Sequence, residues 1–141
     1  MKKISLWILV LGCVALGIGG LGDQFLPGLM PNHIEFLGNP SQDELFFRTQ
    51  ALIMKMLKVL GGGLMSASVA CLFFVRFGVL EKKRWGYWGI VLVTLLSEGF
   101  NLWGMYTAGS MWQYPASVLF LIFFGLGFYG YLDQKESEPN S

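Results

Sequence analysis

Few residues in this chain are equipped for chemistry, and three of them share one helical face. The stretch LLSEGFNLW, residues 95–103, sets Glu98 inside an apolar run from about Tyr87 to Tyr106. Asn101 follows Glu98 by three positions and Thr94 precedes it by four, so a helix presents all three on one side. A carboxyl between a hydroxyl and an amide can bind a cation, carry a proton, or lock neighbouring helices together. In lipid, an ionised carboxylate at mid-helix costs about 2.5–3.5 kcal/mol on insertion scales, so Glu98 is expected to face a bundle interior or a wet cavity. Burial favours the neutral acid, and Glu98 is expected to be mostly protonated at neutral pH.

Counted inward from Trp88, Glu98 lies about 15 Å along a helix, close to the middle of a bilayer. On an antiparallel second helix, Ser66 falls at the same depth, and Lys58 lies further out with a side chain long enough to reach inward. The candidate ligand or proton site is therefore Glu98, Asn101, Thr94, Ser66 and Lys58. A structural role, with Glu98 bonding Ser66 or a backbone carbonyl, is the open alternative.

Other chemistry is sparse. Cys13 and Cys71 form no C-x-x-C motif, which argues against a thiol relay; both read as small apolar fillers within helices. His33 is the single histidine and sits beside Asn32 and Glu35, as a solvated loop residue would. No metal ligand set, catalytic residue, nucleophile elbow or phosphate loop is evident, and no cofactor is expected. GIGGLG, residues 17–22, fits G-x-G-x-x-G, yet an apolar run precedes it and DQFLP follows, which reads as helix packing rather than nucleotide binding. Gly125, Gly127 and Gly130 read the same way. So do Gly61, Gly62 and Gly63 with Ser66, Ala67 and Ala70, where Gly62 and Ser66 make a small-xxx-small pair; the triple glycine is also a candidate for softening its helix.

The elements that must position these residues follow from composition. Of 141 residues, 54% are hydrophobic and 13% charged, against about 25% charged in soluble domains. Four runs, about 4–22, 51–75, 85–106 and 114–132, approach the roughly 20 apolar residues that cross a bilayer. Of the ten basic and nine acidic residues, only Lys55, Lys58 and Glu98 fall within them. Backbone polar groups in lipid must bond within their own segment, and the runs lack the alternation of barrel strands. The expected fold is all-α: an integral membrane four-helix bundle, up-down-up-down, in a single domain over 1–132. An outer loop spans 23–40 and a polar cytoplasmic tail 133–141.

Lys2, Lys3, Arg76, Lys82, Lys83, Arg84 and Lys135 fall on one side of these spans, and Arg48 on the other. The positive-inside rule then puts both termini in the cytoplasm. Trp85, Tyr87, Trp88, Tyr129 and Tyr131 are expected as an inner aromatic belt, with Trp103, Tyr106, Trp112 and Tyr114 as the outer one. Val10-Leu11-Gly12-Cys13 partly resembles a lipoprotein cleavage box, which would lipidate Cys13. The chain stays apolar beyond it and shows no A-x-A site, so an uncleaved span is expected.

Pro27, Pro31 and Pro40 forbid one regular helix through the outer loop. Its many apolar residues, among them Phe25, Leu29, Met30, Ile34 and Phe36, suit a segment lying on the membrane or over the bundle mouth. Ser41-Gln42-Asp43-Glu44 has the S-x-x-E form of a capping box. A helix from there to about Arg76 is roughly 50 Å long, so its first turns must project outward or the helix must tilt; Lys55 then falls near the outer interface, where its stem can snorkel.

The segment LKVLGGGLMSASVACLFF, residues 57–74, followed by a basic loop and KKRWGYW, resembles the DoxX-like group of small bacterial four-helix membrane proteins. The resemblance covers the whole layout, with specific residues from about Arg48 to Trp88. It implies a multi-pass protein of the bacterial cytoplasmic (inner) membrane, and no residue role carries over from it. Four spans with one buried glutamate are also similar to small multidrug exporters, but those carry the glutamate in the first span and this chain in the third. The expected partners are the lipid bilayer and either a homo-oligomer or a larger membrane complex; without a basic stripe, nucleic acid is not expected. The function expected is that of a non-enzymatic accessory subunit or binder of a lipophilic molecule. The alternatives are a homo-oligomeric proton-coupled transporter using Glu98 and a lipid-modifying membrane enzyme.

Overall fold

The computed structural model describes residues 3–29, 34, 38, 44–107 and 113–137. His33, Trp112, the residues Ser41 to Asp43 of the expected capping box and most of the outer loop lie outside the described residues. Within them the protein is all-α, with four long helices and no strand. Helix α1 spans Lys3–Phe25 and stops two residues ahead of Pro27; the residue before a proline is driven out of the helical region. Helix α2 spans Glu44–Phe74 and continues as a π-helical segment, Val75–Val79. Helix α3 spans Arg84–Thr107 and α4 spans Gln113–Ser137. Pro115 lies in the first turn of α4, where a missing N–H breaks no helical bond. Helix α4 runs five residues past the expected end of the fourth run, into the polar tail.

The α2–α3 turn is built by backbone geometry. In the π segment Leu80 N–H donates to Val75 O at 3.0 Å. Lys82 N–H then donates to Val79 O at 3.1 Å and Lys83 N–H to Gly78 O at 2.8 Å, the paired bonds of a Schellman motif. That motif requires a left-handed residue, and Lys82 fills the position with φ 53°. Directly beyond the turn Gly78 and Gly86 pack Cα against Cα, leaving no space for a Cβ on either.

Neighbouring helices run antiparallel, α1 along α2, α2 along α3 and α3 along α4, with a smaller contact between α1 and α4. Small residues set the closest approaches. A Cβ on Gly20 would lie 2.5 Å from Gly61 O and 2.9 Å from Met65 N, and one on Gly61 would lie 2.5 Å from Gly20 O. Gly17 makes space for Ser68; Gly127 and Gly130 make space for Val91 and Tyr87. Gly19, Gly22, Gly63 and Gly125 face open space, and Gly62 touches only the tip of Gln24. The packing face of α2 is therefore Gly61, Leu64, Ala67, Ser68, Cys71 and Val75, not the Gly62–Ser66 pair expected from the sequence.

One core cluster joins Leu9 and Cys13 of α1, Cys71, Val75 and Val79 of α2 with its π segment, and Tyr87 and Ile90 of α3. All of it lies in the half of the bundle that carries the α2–α3 turn. Trp85 stacks edge-on against Phe74 and Trp88 tilts over Tyr131 at that end. Tyr87 departs from the expected belt: it is buried, its ring occupying the space beside Gly130. Trp103, Tyr106 and Tyr114 are exposed at the opposite end.

Large apolar side chains are exposed on every helix, among them Trp7, Ile18, Val59, Val69, Leu96, Phe100 and Leu121. Two helical segments, Ile4–Phe25 and Phe46–Val79, are long and apolar enough to cross a membrane, while Ser117–Asp133 is a shorter apolar stretch.

Candidate functional site

Helix α3 aligns Tyr87, Ile90, Val91, Thr94, Glu98 and Asn101 along one stripe. The first four are buried, and past Thr94 no described residue of α3 is fully buried. The same change occurs on α4, where Gly127 and Gly130 are buried and the described residues before them are not. Glu98 thus stands where the close-packed half of the bundle gives way to a more open half.

Its two carboxyl oxygens differ. Oε2 accepts from Asn101 Nδ2 at 3.4 Å, a long contact that orients the group more than it binds it. Oε1 is buried and has no hydrogen-bond partner. A buried acceptor left unsatisfied costs about 1–3 kcal/mol, so this atom is where a ligand's donor or a proton would be held. Ser97 beside it is occupied locally, its Oγ donating to Val93 O at 2.7 Å.

The five expected site residues divide. Glu98 and Asn101 are in contact, and Thr94 lies one turn below them, 5% exposed. Its hydroxyl faces the sulfur of Cys71 on α2. Ser66 does fall near the level of Glu98, as the antiparallel contacts Gly78–Gly86 and Phe74–Gly89 extrapolate. It points the other way, however: Ser66 Oγ donates to Gly62 O of its own helix at 2.9 Å and lines a shallow outer groove with Met65, Val69, Ala70 and Phe73. Lys58 is exposed, and no ion pair joins it to Glu98. Its carbonyl accepts from Gln24 Nε2 at 2.6 Å, which ties the end of α1 to α2.

Two buried polar features have no counterpart in the sequence reading. Ser68 Oγ donates across to Cys13 O of α1 at 2.6 Å. Cys13 and Cys71, read as separate fillers, lie together in the one buried cluster that joins α1 to α2. The signal for both was the spacing of Gly61, Leu64, Ser68, Cys71 and Val75, one helical stripe, facing Cys13, Gly17 and Gly20 at matching intervals. Among the described residues no group of three or more histidine, cysteine or acidic side chains is placed to hold a metal.

In comparisons with protein-family models, curated proteins and solved structures, the chain matches none.

Proposed function

We propose that this is a four-span membrane protein that binds a lipophilic molecule carrying a hydrogen-bond donor or a cationic group, acting as a binding or accessory component rather than as an enzyme. The observation that carries the reading is the unpartnered, buried Oε1 of Glu98 at the inner end of the open half of the bundle. Intramembrane carboxylates face interiors or cavities and mark ligand or proton pathways. Here the ligand's polar group sits at Glu98 beside Asn101, and its apolar body lies between the outer halves of α3 and α4. Lipid covers the exposed apolar faces of all four helices; Trp103, Tyr106 and Tyr114 stand at one interface, and Trp85, Trp88 and Arg84 at the other. Both termini are cytoplasmic by the charge bias of the connections, in a bacterial inner membrane as the DoxX-like resemblance implies.

The test is mass spectrometry of protein purified gently in a mild detergent, with Glu98→Leu prepared in parallel. A small amphiphile retained by the wild type and lost from a folded Glu98→Leu supports the reading. Wild-type protein that carries nothing and takes up none of a panel of amphiphilic amines and alcohols overturns it. The same carboxyl supports a second reading, proton-coupled transport by a homo-oligomer, which requires substrate-dependent proton flux in liposomes that Glu98→Gln abolishes.

A further inference from the structure

The helix pair in most extensive contact among the described residues, α1 and α2, also brings together the two cysteines of the chain. Backbone contact of Gly20 with Gly61, Gly17 against Ser68, and the Ser68 Oγ to Cys13 O hydrogen bond of 2.6 Å fix one antiparallel register of α1 on α2. One turn further along, that register sets Cys71 opposite Cys13. Cys13 is 2% exposed and Cys71 3%, and Leu9, Val75 and Ile90 share their cluster. A disulfide needs Cα atoms within about 4.4–6.8 Å, a separation that packed helices offer only where small residues let the backbones meet. The third helix adds Thr94, a buried hydroxyl that faces the Cys71 sulfur.

We propose that Cys13 and Cys71 are an oxidative modification site, a buried dithiol that hydrogen peroxide converts into a disulfide tying α1 to α2. The wall of apolar side chains dictates the class of oxidant: it excludes charged and bulky reagents and admits a small neutral hydroperoxide during brief openings. In the first step the sulfur of Cys71 attacks one peroxide oxygen, the O–O bond breaks, and the thiol proton leaves with the second oxygen as water. The product is a sulfenic acid on Cys71. In the second step the Cys13 thiol displaces that hydroxyl; the S–S bond forms, the S–O bond breaks, and the Cys13 proton leaves in a second water. One peroxide is reduced to two waters and two thiols are oxidised to one disulfide. Proximity makes the second step fast relative to further oxidation, and Cys71 takes the attacking role because it is the cysteine with a buried hydroxyl, Thr94, near enough to donate to its sulfur as charge develops there. The site makes no use of Glu98, so its fate is independent of the ligand-binding reading.

The test exposes the full chain in lipid nanodiscs to hydrogen peroxide, followed by denaturation without reductant, a free-thiol count and intact mass. The expected result is joint loss of both thiols, a mass lower by two hydrogens, a Cys13–Cys71 cross-linked peptide from monomeric protein, and full reversal by dithiothreitol. The oxidised protein should also unfold at a higher temperature than the reduced form. Cys13→Ser should stop at a sulfenic acid on Cys71 that dimedone traps. Both thiols surviving doses that oxidise glutathione overturns the proposal, as does separate oxygen addition at each cysteine or disulfides between chains; these readouts need only the wild-type protein if the variant does not fold.

Discussion

Glu98 and Lys82 are each held in a costly state, one electrostatic and one conformational. For Glu98 the informative substitutions are the isostere and the hydrocarbon. Glu98→Gln keeps the shape and the contact with Asn101; it should express and unfold like the wild type yet bind the proposed lipophilic ligand at least tenfold more weakly if the carboxyl contributes a charge-assisted bond. Glu98→Leu should abolish binding, and a folded, fully active Glu98→Leu would remove any role for this residue. Lys82 is simpler. Its left-handed backbone, φ 53°, costs a residue with a Cβ about 1–2 kcal/mol, while glycine's greater freedom when unfolded returns roughly 0.5–1 kcal/mol of that. Lys82→Gly should therefore stabilise the turn by up to about 1.5 kcal/mol, read as a higher apparent Tm in detergent, and Lys82→Val should lower it. Next to it, Lys83 Nζ bonds Glu81 Oε2 at 2.6 Å. That hydrogen bond, with the lysine's charge, holds the Glu81 carboxyl below its usual range. A carboxyl depressed on folding stabilises at neutral pH and loses that contribution as pH falls through its folded value. The pair is exposed, so the acid-side loss should be small, suppressed by salt, and absent in Glu81→Gln.

Between elements, the glycines offer a sharper experiment than their shared motif suggests. GIGGLG contains Gly17, Gly19, Gly20 and Gly22, and only Gly17 and Gly20 meet α2. Gly20→Ala would push a methyl into Gly61 O and Met65 N, backbone atoms that cannot rotate aside, and should cost about 1–3 kcal/mol. Gly19→Ala and Gly22→Ala point into open space and should be neutral or gain up to about 1 kcal/mol of helix propensity. Ser68→Ala, which removes the bond to Cys13 O, should cost about 0.6 kcal/mol, the average for such bonds between membrane helices. Tm values for the four variants in one detergent check the ordering; equal losses at Gly19 and Gly20 would contradict the register. These elements also define what the sequence could disclose. Run length and the position of charges locate four helices, because an apolar run of that length has few other ways to satisfy its backbone. The packing role of the glycines was legible, and so were Thr94, Glu98 and Asn101 as one stripe, since both follow from residue type and helical spacing. Which glycines touch, and which way Ser66 points, was not. Those depend on the rotation of α2 about its axis, and nearly uniform apolarity around that helix leaves the rotation to interhelical fit. The Cys13–Cys71 contact was hidden for the same reason, since it requires the register of α1 on α2.

For the whole molecule the deciding quantity is where its exposed apolar surface goes. Phe100 is 73% exposed and Val59 78%, and comparable side chains occur on all four helices. A soluble monomer rarely exposes contiguous apolar patches above a few hundred Å², and this surface surrounds the bundle instead of marking one patch. A bilayer covers such a surface on every side at once, whereas a single protein partner covers one face. A lipid surround would also account for a core only a few residues wide: packing in a membrane relies on small-residue contacts and interhelical hydrogen bonds, with little hydrophobic drive between helices. The Gly20–Gly61 and Gly78–Gly86 contacts and the Ser68–Cys13 bond are of that kind. If lipid is the solvent, the basic turn at Lys82, Lys83 and Arg84 marks the cytoplasmic side, and helix parity sets both termini there. The expected outcome is a protein that stays in the membrane pellet after alkaline carbonate washing and dissolves only with detergent. A reporter active only in the cytoplasm should work when fused after Ser141 and fail when inserted between Thr107 and Gln113; one active only outside should behave oppositely. Release by carbonate would show that the apolar faces are covered by protein, and external activity of the Ser141 fusion would invert the bundle and place the open half, with Glu98 at its inner end, toward the cytoplasm.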